Sequence, residues 1–409
     1  MSYFQSSCLL PEDMLMEILS WLPVKDVVRL KCISKGWNHL VSDSAFVKLH
    51  LIRSPKNTHI LLTFDTRGGG YAIAPVQDLL DNPSSTVETL LRNDFPYNPF
   101  NRSYTVLGVL NGLVCLQFSW VDDEFEHHWF HMWNPATRAM SIDSPHISFD
   151  HSDYKDVFWF MFGFGYDEWS DTYQVLFLDN NKNESQELKV RVWSVGDTCW
   201  RNTSICDAFS TIICPVSRVS RGSVSRGIFV SGTLNWLAFP KSYSYYDNVK
   251  MNQLEIFSYH QKEETCRYFP MPDGILEINV CEPELEVLKG CLCLSHHHEG
   301  NFTVWLKREF NHEKSWSKLL TLRYEDHYKY LSRDFLLELW IIWMCEDDDD
   351  FVLLANRYID KPDLIRYNTR DNRIDRRELY KHESSNIFSY DYAPSLVFPH
   401  VELPLGYFI

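Results

Sequence analysis

The sequence predicts an α+β multi-domain chain in which a short helical segment precedes a long all-β body. Apolar residues recur at helical spacing only near the N-terminus. Beyond that segment, short β-branched and aromatic runs alternate with glycine-containing turns. With 409 residues, 45% hydrophobic and 15% aromatic, the chain has a globular composition and room for one large or two ordinary domains. We place these domains at residues 4–51 and 58–409.

The charge distribution separates the same two parts. The chain carries a formal net charge of −16. Residues 1–55 hold six basic and five acidic residues, so the remainder holds 33 and 50, a net charge of −17. A strongly acidic surface repels phosphate backbones and anionic lipids, so nucleic acid and membranes are not expected partners.

The expected location is the cytoplasm, the nucleus or both. The first residues lack the basic and apolar regions of a secretory signal, and the longest apolar run is far too short to span a bilayer. Eleven cysteines, an odd number without CxxC pairs, favour reduced thiols.

The N-terminal segment predicts three short helices and one further turn. Pro11 stands at a first helical position, and Pro23 ends that helix. A second helix fits residues 26–33, Ser34 caps a third, and Ser44 caps one last turn. About 45 residues are near the lower limit for a module that folds alone. Its apolar positions exceed what short helices bury, which indicates either a partner surface or docking onto the body.

Glycine-containing pairs predict β-hairpins in the body. Asn111-Gly112 lies between two apolar runs, and Ser231-Gly232 and Lys289-Gly290 repeat this plan. Such pairs favour two-residue turns because they tolerate positive φ.

A repeated strand with an aromatic residue suggests a β-propeller. Successive copies are 48 to 64 residues apart, which approaches the kelch period, and each unit would be a four-stranded sheet. The aligned residues are Trp133, Trp193, Phe257, Trp305 and Tyr367. A sixth unit would pair residues 58–64 with residues 395–399 and close the ring. The alternative architecture is a stack of β-sandwich units.

Both parts resemble a known family. The stretch LPEDMLMEILSWLPVKDVVRLKCISKGWNHLVSDSAFVKLHL resembles the F-box. The body resembles the plant F-box-associated β-propeller domain in the runs GLVCL, WNPATR, GFGYDEWSDTYQVLFL, FVSGTLNWLA, FTVWLKRE and APSLVFP. The resemblance implies a plant F-box protein with a three-helix F-box and a kelch-like propeller, for which we expect six blades.

The resemblance implies a non-catalytic substrate receptor of an SCF-type ubiquitin ligase. In that family the F-box binds an SKP-type adaptor, which joins it to a cullin and a RING subunit, and the propeller presents a protein substrate for ubiquitination and degradation. No cofactor is implied, and no substrate-binding residue can be carried over. By position, the implied adaptor-binding residues are Leu10, Pro11, Ile18, Leu19, Leu22, Pro23, Leu30, Ile33 and Trp37. Trp37, together with Leu40, is expected to pack inside the module.

Two histidine and cysteine motifs favour structural roles over metal binding. His296 to His298 are consecutive, and adjacent strand residues point to opposite faces, so a solvated hairpin loop is favoured over a metal site. Cys291 and Cys293 favour a buried apolar pair.

Three other runs are interpreted as loops and not as ligand-binding sites. The acidic run 345–351 lacks EF-hand spacing and favours an exposed hairpin tip. The glycine run 67–71 lacks the helix and lysine of a phosphate loop and favours a flexible turn. The basic, serine-rich run 217–227 favours a mobile connection.

Two other function classes stay open on sequence grounds. The propeller architecture can host catalysis at its central channel, which would require clustered polar groups there. The chain would otherwise be an interaction scaffold that uses its F-box outside ligase assembly.

Overall fold

The structure is a computed structural model of the chain. It describes residues 10–56, 58–64, 70–81, 104–150, 159–179, 187–207, 210–212, 223–240, 250–273, 275, 283–310, 312, 315–323, 339–345, 351–356, 363–378 and 387–398. Among these residues, no helix is long and apolar enough to cross a membrane.

Four helices form the N-terminal module, and one more follows the second strand. They are α1 (Glu12–Leu19), α2 (Val24–Leu30), α3 (Lys35–Ser42), α4 (Ser44–Arg53) and α5 (Val76–Asp81). The three expected helices are present as α1 to α3. The fourth runs for ten residues, where only one turn was expected.

The helix starts explain most of these boundaries. The prediction that Pro11 is the first helical residue is wrong, because Pro11 is the N-cap of α1, with a non-helical ψ of 152°. Pro23 is likewise the N-cap of α2. The missing N–H of proline costs no intrahelical hydrogen bond at an N-cap. Ser34 caps α3 as predicted, because its Oγ accepts the Trp37 N–H at 3.3 Å. The prediction that Ser44 caps α4 is wrong. Asp43 does so instead, since its carboxylate reaches two free N–H groups of the first turn, at 2.9 and 3.3 Å.

The body consists of short strands. They are β1 (His59–Phe64), β2 (Gly70–Pro75), β3 (Tyr104–Leu110), β4 (Leu113–Val121), β5 (Phe125–Asn134), β6 (Ala139–Met140), β7 (Ile147–Asp150), β8 (Trp159–Asp167), β9 (Thr172–Asp179), β10 (Glu187–Ser194), β11 (Arg201–Asp207), β12 (Ser210–Ile212), β13 (Ser223–Val230), β14 (Thr233–Pro240), β15 (Glu255–His260), β16 (Thr265–Pro270), β17 (Glu284–Leu288), β18 (Cys291–His298), β19 (Asn301–Lys307), β20 (Trp316–Arg323), β21 (Leu339–Met344), β22 (Phe351–Asn356), β23 (Asp363–Asn368), β24 (Ile374–Glu378) and β25 (Ile387–Tyr392).

These strands fall into six successive antiparallel groups, which we number as blades. Blade 1 is β3 to β6, blade 2 is β8 to β11, blade 3 is β13 to β16, blade 4 is β17 to β20 and blade 5 is β21 to β24. Blade 6 combines β25 from the C-terminal part with β1 and β2 from the N-terminal part. Strands β7 and β12 add to blades 1 and 3, and a parallel pairing of β8 with β13 joins blades 2 and 3.

Apolar clusters between neighbouring blades close these groups into a ring. Each of six clusters joins one blade to the next, including blade 5 to blade 6 and blade 6 to blade 1. The cluster between blades 6 and 1, for example, contains Tyr71, Trp133 and Tyr392. A closed ring of antiparallel sheets is a β-propeller, not a stack of β-sandwich units. The six-blade count of the whole chain stays a prediction.

The predicted hairpins and repeats lie where the sequence put them. Asn111 and Gly112 have φ angles of 52° and 75°, and the turns at Ser231-Gly232 and Lys289-Gly290 also have positive φ at both residues. The five aligned aromatic residues each lie on the third strand of their blade. The repeat therefore reports the same structural position in five blades.

The predicted partner of the first strand is wrong in detail. Residues 59–64 do pair with the C-terminal part, but with β25, in a register that places Leu61 opposite Tyr390. The run 395–398 lies outside the sheet. Pro394 precedes this run, and proline cannot donate a hydrogen bond to a ladder. Its apolar side chains also pack elsewhere, as described below.

Candidate functional site

The helical module has a small core of its own. Its members are buried side chains from all four helices, joined by one residue of the C-terminal part: Leu15, Leu19, Val24, Val27, Leu40, Val41, Phe46 and Leu396. Trp37 and Leu30 are half-buried and pack against this cluster. The expectation that Trp37 and Leu40 hold the module together agrees with these positions.

Outside this core, the module exposes an unusual amount of apolar surface. Seven of the eleven exposed large hydrophobic side chains among the described residues belong to it. They are Leu10, Met14, Ile18, Trp21, Leu22, Ile33 and Ile52. Because the module is a small part of the chain, this concentration indicates a surface that another protein covers.

The sequence-predicted adaptor residues divide by burial. Leu10, Pro11, Ile18, Leu22, Pro23 and Ile33 are exposed, while Leu30 and Trp37 are half-buried. Ile33 is 62% exposed and Ile18 is 52% exposed, so both offer area to a partner. Leu19 is only 7% exposed and lies in the core of the module. A direct role of Leu19 in partner contact stays a prediction, and its burial argues against it.

Helix periodicity separates the two faces of α1. Leu15 and Leu19 are four residues apart and point into the core, while Met14 and Ile18 are four residues apart and point outward. Trp21 follows the helix and is 68% exposed. The sequence reasoning missed Met14 and Trp21, although their position on the exposed side of the helical spacing could have identified them.

Helix α4 fixes the backbone that follows α1 through a hydrogen bond. His50 is buried, and its Nε2–H donates to the carbonyl oxygen of Leu22 at 2.9 Å. Burial lowers the pKa of His50, while the Leu22 carbonyl acts in the opposite direction. A neutral imidazole is therefore favoured, and the backbone that presents the Leu22 side chain is fixed.

Arg53 adds a second brace to the same end of α1. Its guanidinium donates to the Ser20 Oγ at 2.6 Å and to the Glu17 carboxylate at 2.7 Å. It also lies over the Trp21 ring, 5.1 Å from the ring centre. Two residues of α4 thus fix the exposed apolar end of α1 in one geometry.

The module sits on one end of the propeller. Val47 and Leu51 of α4 pack against the cluster between blades 1 and 2. Lys48 pairs with Asp171 in the β8–β9 turn, and Ala136 of the β5–β6 turn packs against the module's core. These turns all leave the same end of their blades, so the module covers that end.

The histidine and cysteine motifs lie on strands. The expected hairpin loop at His296 to His298 is wrong, because these residues end β18 and the turn is formed by Glu299 and Gly300. His296 is buried, and desolvation, followed by its charged neighbours, lowers its pKa to about 4. Cys293 is buried and Cys291 is half-buried, which agrees with an apolar pair.

The remaining motifs lie partly on strands and partly outside the described residues. Residues 223–227 belong to β13 and not to a mobile connection, while residues 67–69, 217–222 and 346–350 lie outside the described residues. Among residues with described positions, no group of three or more His, Cys, Asp and Glu side chains is arranged to hold a metal ion. The expectation of reduced thiols is wrong at Cys266, which is disulfide-bonded.

One polar cluster does occur between the first strands of the blades. Arg226 of β13 donates to the hydroxyl of Tyr390 on β25 and lies 3.6 Å from Glu286 on β17. The Tyr390 hydroxyl in turn donates to the Val106 carbonyl at 3.1 Å. These contacts link strands from four blades, so the cluster has a structural explanation as a brace across the ring.

The family comparisons agree with this division. The F-box domain family matches residues 7–49, and the family described as "F-box associated beta propeller domain" matches residues 76–401. An F-box/kelch-repeat protein of Arabidopsis thaliana is 28% identical over 350 residues, which are 81% of this chain and 82% of that protein. The F-box protein CPR1 of the same plant is 27% identical over 329 residues, covering 77% and 73%.

Solved structures are similar only at a low level. TolB from Acinetobacter baumannii has a TM-score of 0.45 at 9% identity and covers 87% of this chain and 73% of that chain. The β-propeller domain of a trilobed protease from Pyrococcus furiosus has a TM-score of 0.33 at 8% identity, covering 80% and 78%. Neither score reaches 0.5, so neither adds to the description of this chain.

Proposed function

We propose that this chain, which belongs to the F-box proteins that carry an F-box-associated β-propeller domain, is the substrate-recognition subunit of an SCF-type ubiquitin ligase. Its membership in that family supports a substrate-recognition adaptor role of SCF type. Its F-box binds an SKP-type adaptor, and through it a cullin and a RING subunit. Its propeller presents a protein substrate for ubiquitination and degradation, in the cytoplasm or the nucleus.

The exposed apolar surface of the module supports the adaptor interaction. Ile18, Leu22 and Ile33 are exposed members of the set that the family resemblance implied. Met14 and Trp21 are exposed on the same module and extend that set. Burying one aliphatic side chain completely contributes ~1.5 to 3 kcal/mol, so covering the exposed part of each of these residues would stabilise the contact.

The end of the propeller opposite the helical module is the proposed substrate surface. The module covers the end of blade 1 that carries the β3–β4 turn. The opposite end of β4 lies about 27 Å away, given the rise of an extended strand. Near this end, β4 carries the exposed side chains of Trp120 and Val121, which point to opposite faces of the strand. Asp122, Asp123 and Glu124 follow in the turn to β5. The exposed Trp120 indole beside the exposed carboxylates of Asp123 and Glu124 fits a basic segment of a protein substrate.

The hairpin that carries this patch is held rigidly. The Asp122 carboxylate accepts the N–H groups of Glu124 and Phe125 and lies 3.0 Å from His127 Nε2. These hydrogen bonds, the Phe125 N–H first among them, lower the pKa of Asp122 to about 2. The Trp120 ring stacks on His127 with the ring centres 5.3 Å apart. The indole is thus presented in a fixed orientation.

The proposed contribution of this chain is positioning and not chemistry. A receptor that holds a substrate near the charged ubiquitin-conjugating enzyme raises the effective concentration of the substrate's lysines. The Arg226, Glu286 and Tyr390 cluster gives no separate support to catalysis, because its contacts are between structural strands.

Reconstituted ubiquitin transfer tests the proposal. The full chain is mixed with an SKP-type adaptor, cullin, RING subunit, activating and conjugating enzymes, ATP and ubiquitin. We expect ubiquitin conjugates on the chain or on a protein held by its propeller, and their loss in Ile18→Asp. A chain that binds the adaptor but supports no transfer would instead indicate a scaffold outside ligase assembly.

A further inference from the structure

The segment that follows the last strand joins the helical module to the propeller. Residues 393–398 form no helix or strand, yet Ser395, Leu396 and Val397 are buried. Consecutive side chains of an extended segment point in opposite directions. Leu396 and Val397 therefore enter two different apolar clusters, one on each side.

On the propeller side, the side-chain amide of Asn134 forms hydrogen bonds with the segment. Asn134 is fully buried, and its Nδ2 donates to the carbonyl oxygens of Ser395 at 3.1 Å and Val397 at 2.7 Å. Its Oδ1 accepts the N–H groups of Ala136 and Thr137 at 2.9 and 3.2 Å. The Asn134 amide is thus hydrogen-bonded to its own turn through Oδ1 and to the segment through Nδ2.

Gly112 makes this close approach possible. It stands in the β3–β4 turn with a φ of 75°, and a Cβ placed there would meet Ser395 Oγ and lie 2.6 Å from the Ala393 carbonyl oxygen. Val397 completes this side, since it packs in the cluster between blades 1 and 2.

On the module side, Leu396 and Phe398 make the contacts. Leu396 is 1% exposed and belongs to the module's own core, beside residues such as Val27 and Leu40. Lys31 at the end of α2 places its Nζ 4.0 Å from the centre of the Phe398 ring. One short segment therefore completes the core of the module and the adjoining core of the propeller.

We propose that residues 393–398 are a clamp that holds the F-box and the propeller in one fixed relative orientation. Val47 supports the same arrangement, because it packs against both clusters. The functional consequence of this clamp rests on the proposed function. A fixed orientation sets where a bound substrate lies relative to the adaptor-binding surface. Asn134 and Gly112 are then positioning residues of the ligase, although neither touches a partner.

Single-molecule energy transfer between the two parts tests the clamp in the full chain, without any ligase subunit. Dyes are attached through unnatural amino acids at the exposed positions Lys35 in α3 and Glu263 in blade 3, so that the 11 cysteines stay unchanged. The test variant is Gly112→Ala. The matched control is Gly232→Ala, which has the same turn and a φ of 76° but nothing within 4 Å of the added Cβ.

We expect one narrow transfer-efficiency peak for the wild type and for Gly232→Ala. Gly112→Ala should lose that peak and give a broad distribution, because its methyl group displaces the segment. Equal distributions for the two alanine variants would overturn the proposal.

A second variant guards against a folding defect in the first. Asn134→Asp keeps the size of the side chain and its acceptor, but it replaces the donor to Ser395 and Val397 with an oxygen. We expect the same broad distribution, with the thermal unfolding of the propeller still cooperative. A narrow peak in a folded Asn134→Asp protein would contradict the clamp. Adaptor binding is measured separately, so failure of the clamp and failure of the proposed function are distinguishable.

Discussion

Truncation of Tyr392 should show how much stability the ring gains from its closing strand. Tyr392 ends β25, is 2% exposed and packs between blades 6 and 1 with Leu61 and Trp133. Its ring also meets His59 edge-on, with the ring centres 6.4 Å apart. Replacing a buried aromatic side chain with alanine costs about 3 to 5 kcal/mol, because apolar burial is lost and a cavity remains. Domains are stable by only about 5 to 15 kcal/mol, so the loss is a large fraction.

Equilibrium unfolding in urea, followed by tryptophan fluorescence, measures this loss. The expected result for Tyr392→Ala is a lower midpoint with an unchanged slope. Trp169→Ala is the control, since Trp169 is 79% exposed and its removal should change the free energy of unfolding by less than about 0.5 kcal/mol. If Tyr392→Ala costs less than about 1 kcal/mol, the closing strand is not part of the cooperative fold.

Two further predictions concern titration and the proposed substrate surface. Desolvation first, and then neighbouring charges, lower the pKa of His296 to about 4 in the fold, below the value near 6.5 expected for an unfolded chain. The unfolded chain therefore binds the proton more readily, and stability present above pH 6.5 should be lost as pH falls towards 4, by up to about 3 kcal/mol. When the midpoint of urea unfolding is measured against pH, His296→Gln should flatten the curve between pH 6.5 and about 4. An unchanged slope in this range would contradict the prediction. Reversing the charges of Asp123 and Glu124 to lysine should abolish enrichment of lysine- and arginine-containing peptides from a random peptide library displayed on phage. Glu299→Lys, on another blade, should leave the enrichment intact, and selection of the same peptides by both variants would refute the assignment of this surface.

Local sequence signals predicted the elements whose geometry is local. Asn111-Gly112 and its two counterparts predicted hairpin turns because the glycine of each pair readily adopts positive φ. Trp133 and its four aligned residues predicted the third strand of five blades, because the same position is buried or half-buried in each blade. Ser34 predicted a cap for the same kind of reason.

Tertiary packing decided the elements that the sequence placed wrongly. The run 395–398 looks like a strand, but Leu396 packs in the core of the helical module and Val397 packs in the cluster between blades 1 and 2. His296 to His298 look like a polar loop, but the adjacent Glu299-Gly300 pair forms the turn and extends the strand through them. Leu19 matched the family position for a partner contact, although helix spacing turns it towards the core together with Leu15.

Titration of an SKP-type adaptor into the purified full chain tests the proposed contact between the F-box and the adaptor. Ile18→Asp and Leu22→Asp each place a carboxylate in the proposed apolar contact, where its desolvation should weaken binding by at least about tenfold, or ~1.4 kcal/mol. Val121→Asp is the matched control, because Val121 and Ile18 are both 52% exposed and Val121 lies at the far end of the propeller. We expect the control to bind the adaptor as tightly as the wild type, while both F-box variants lose affinity. Wild-type affinity in both F-box variants would contradict the proposed contact.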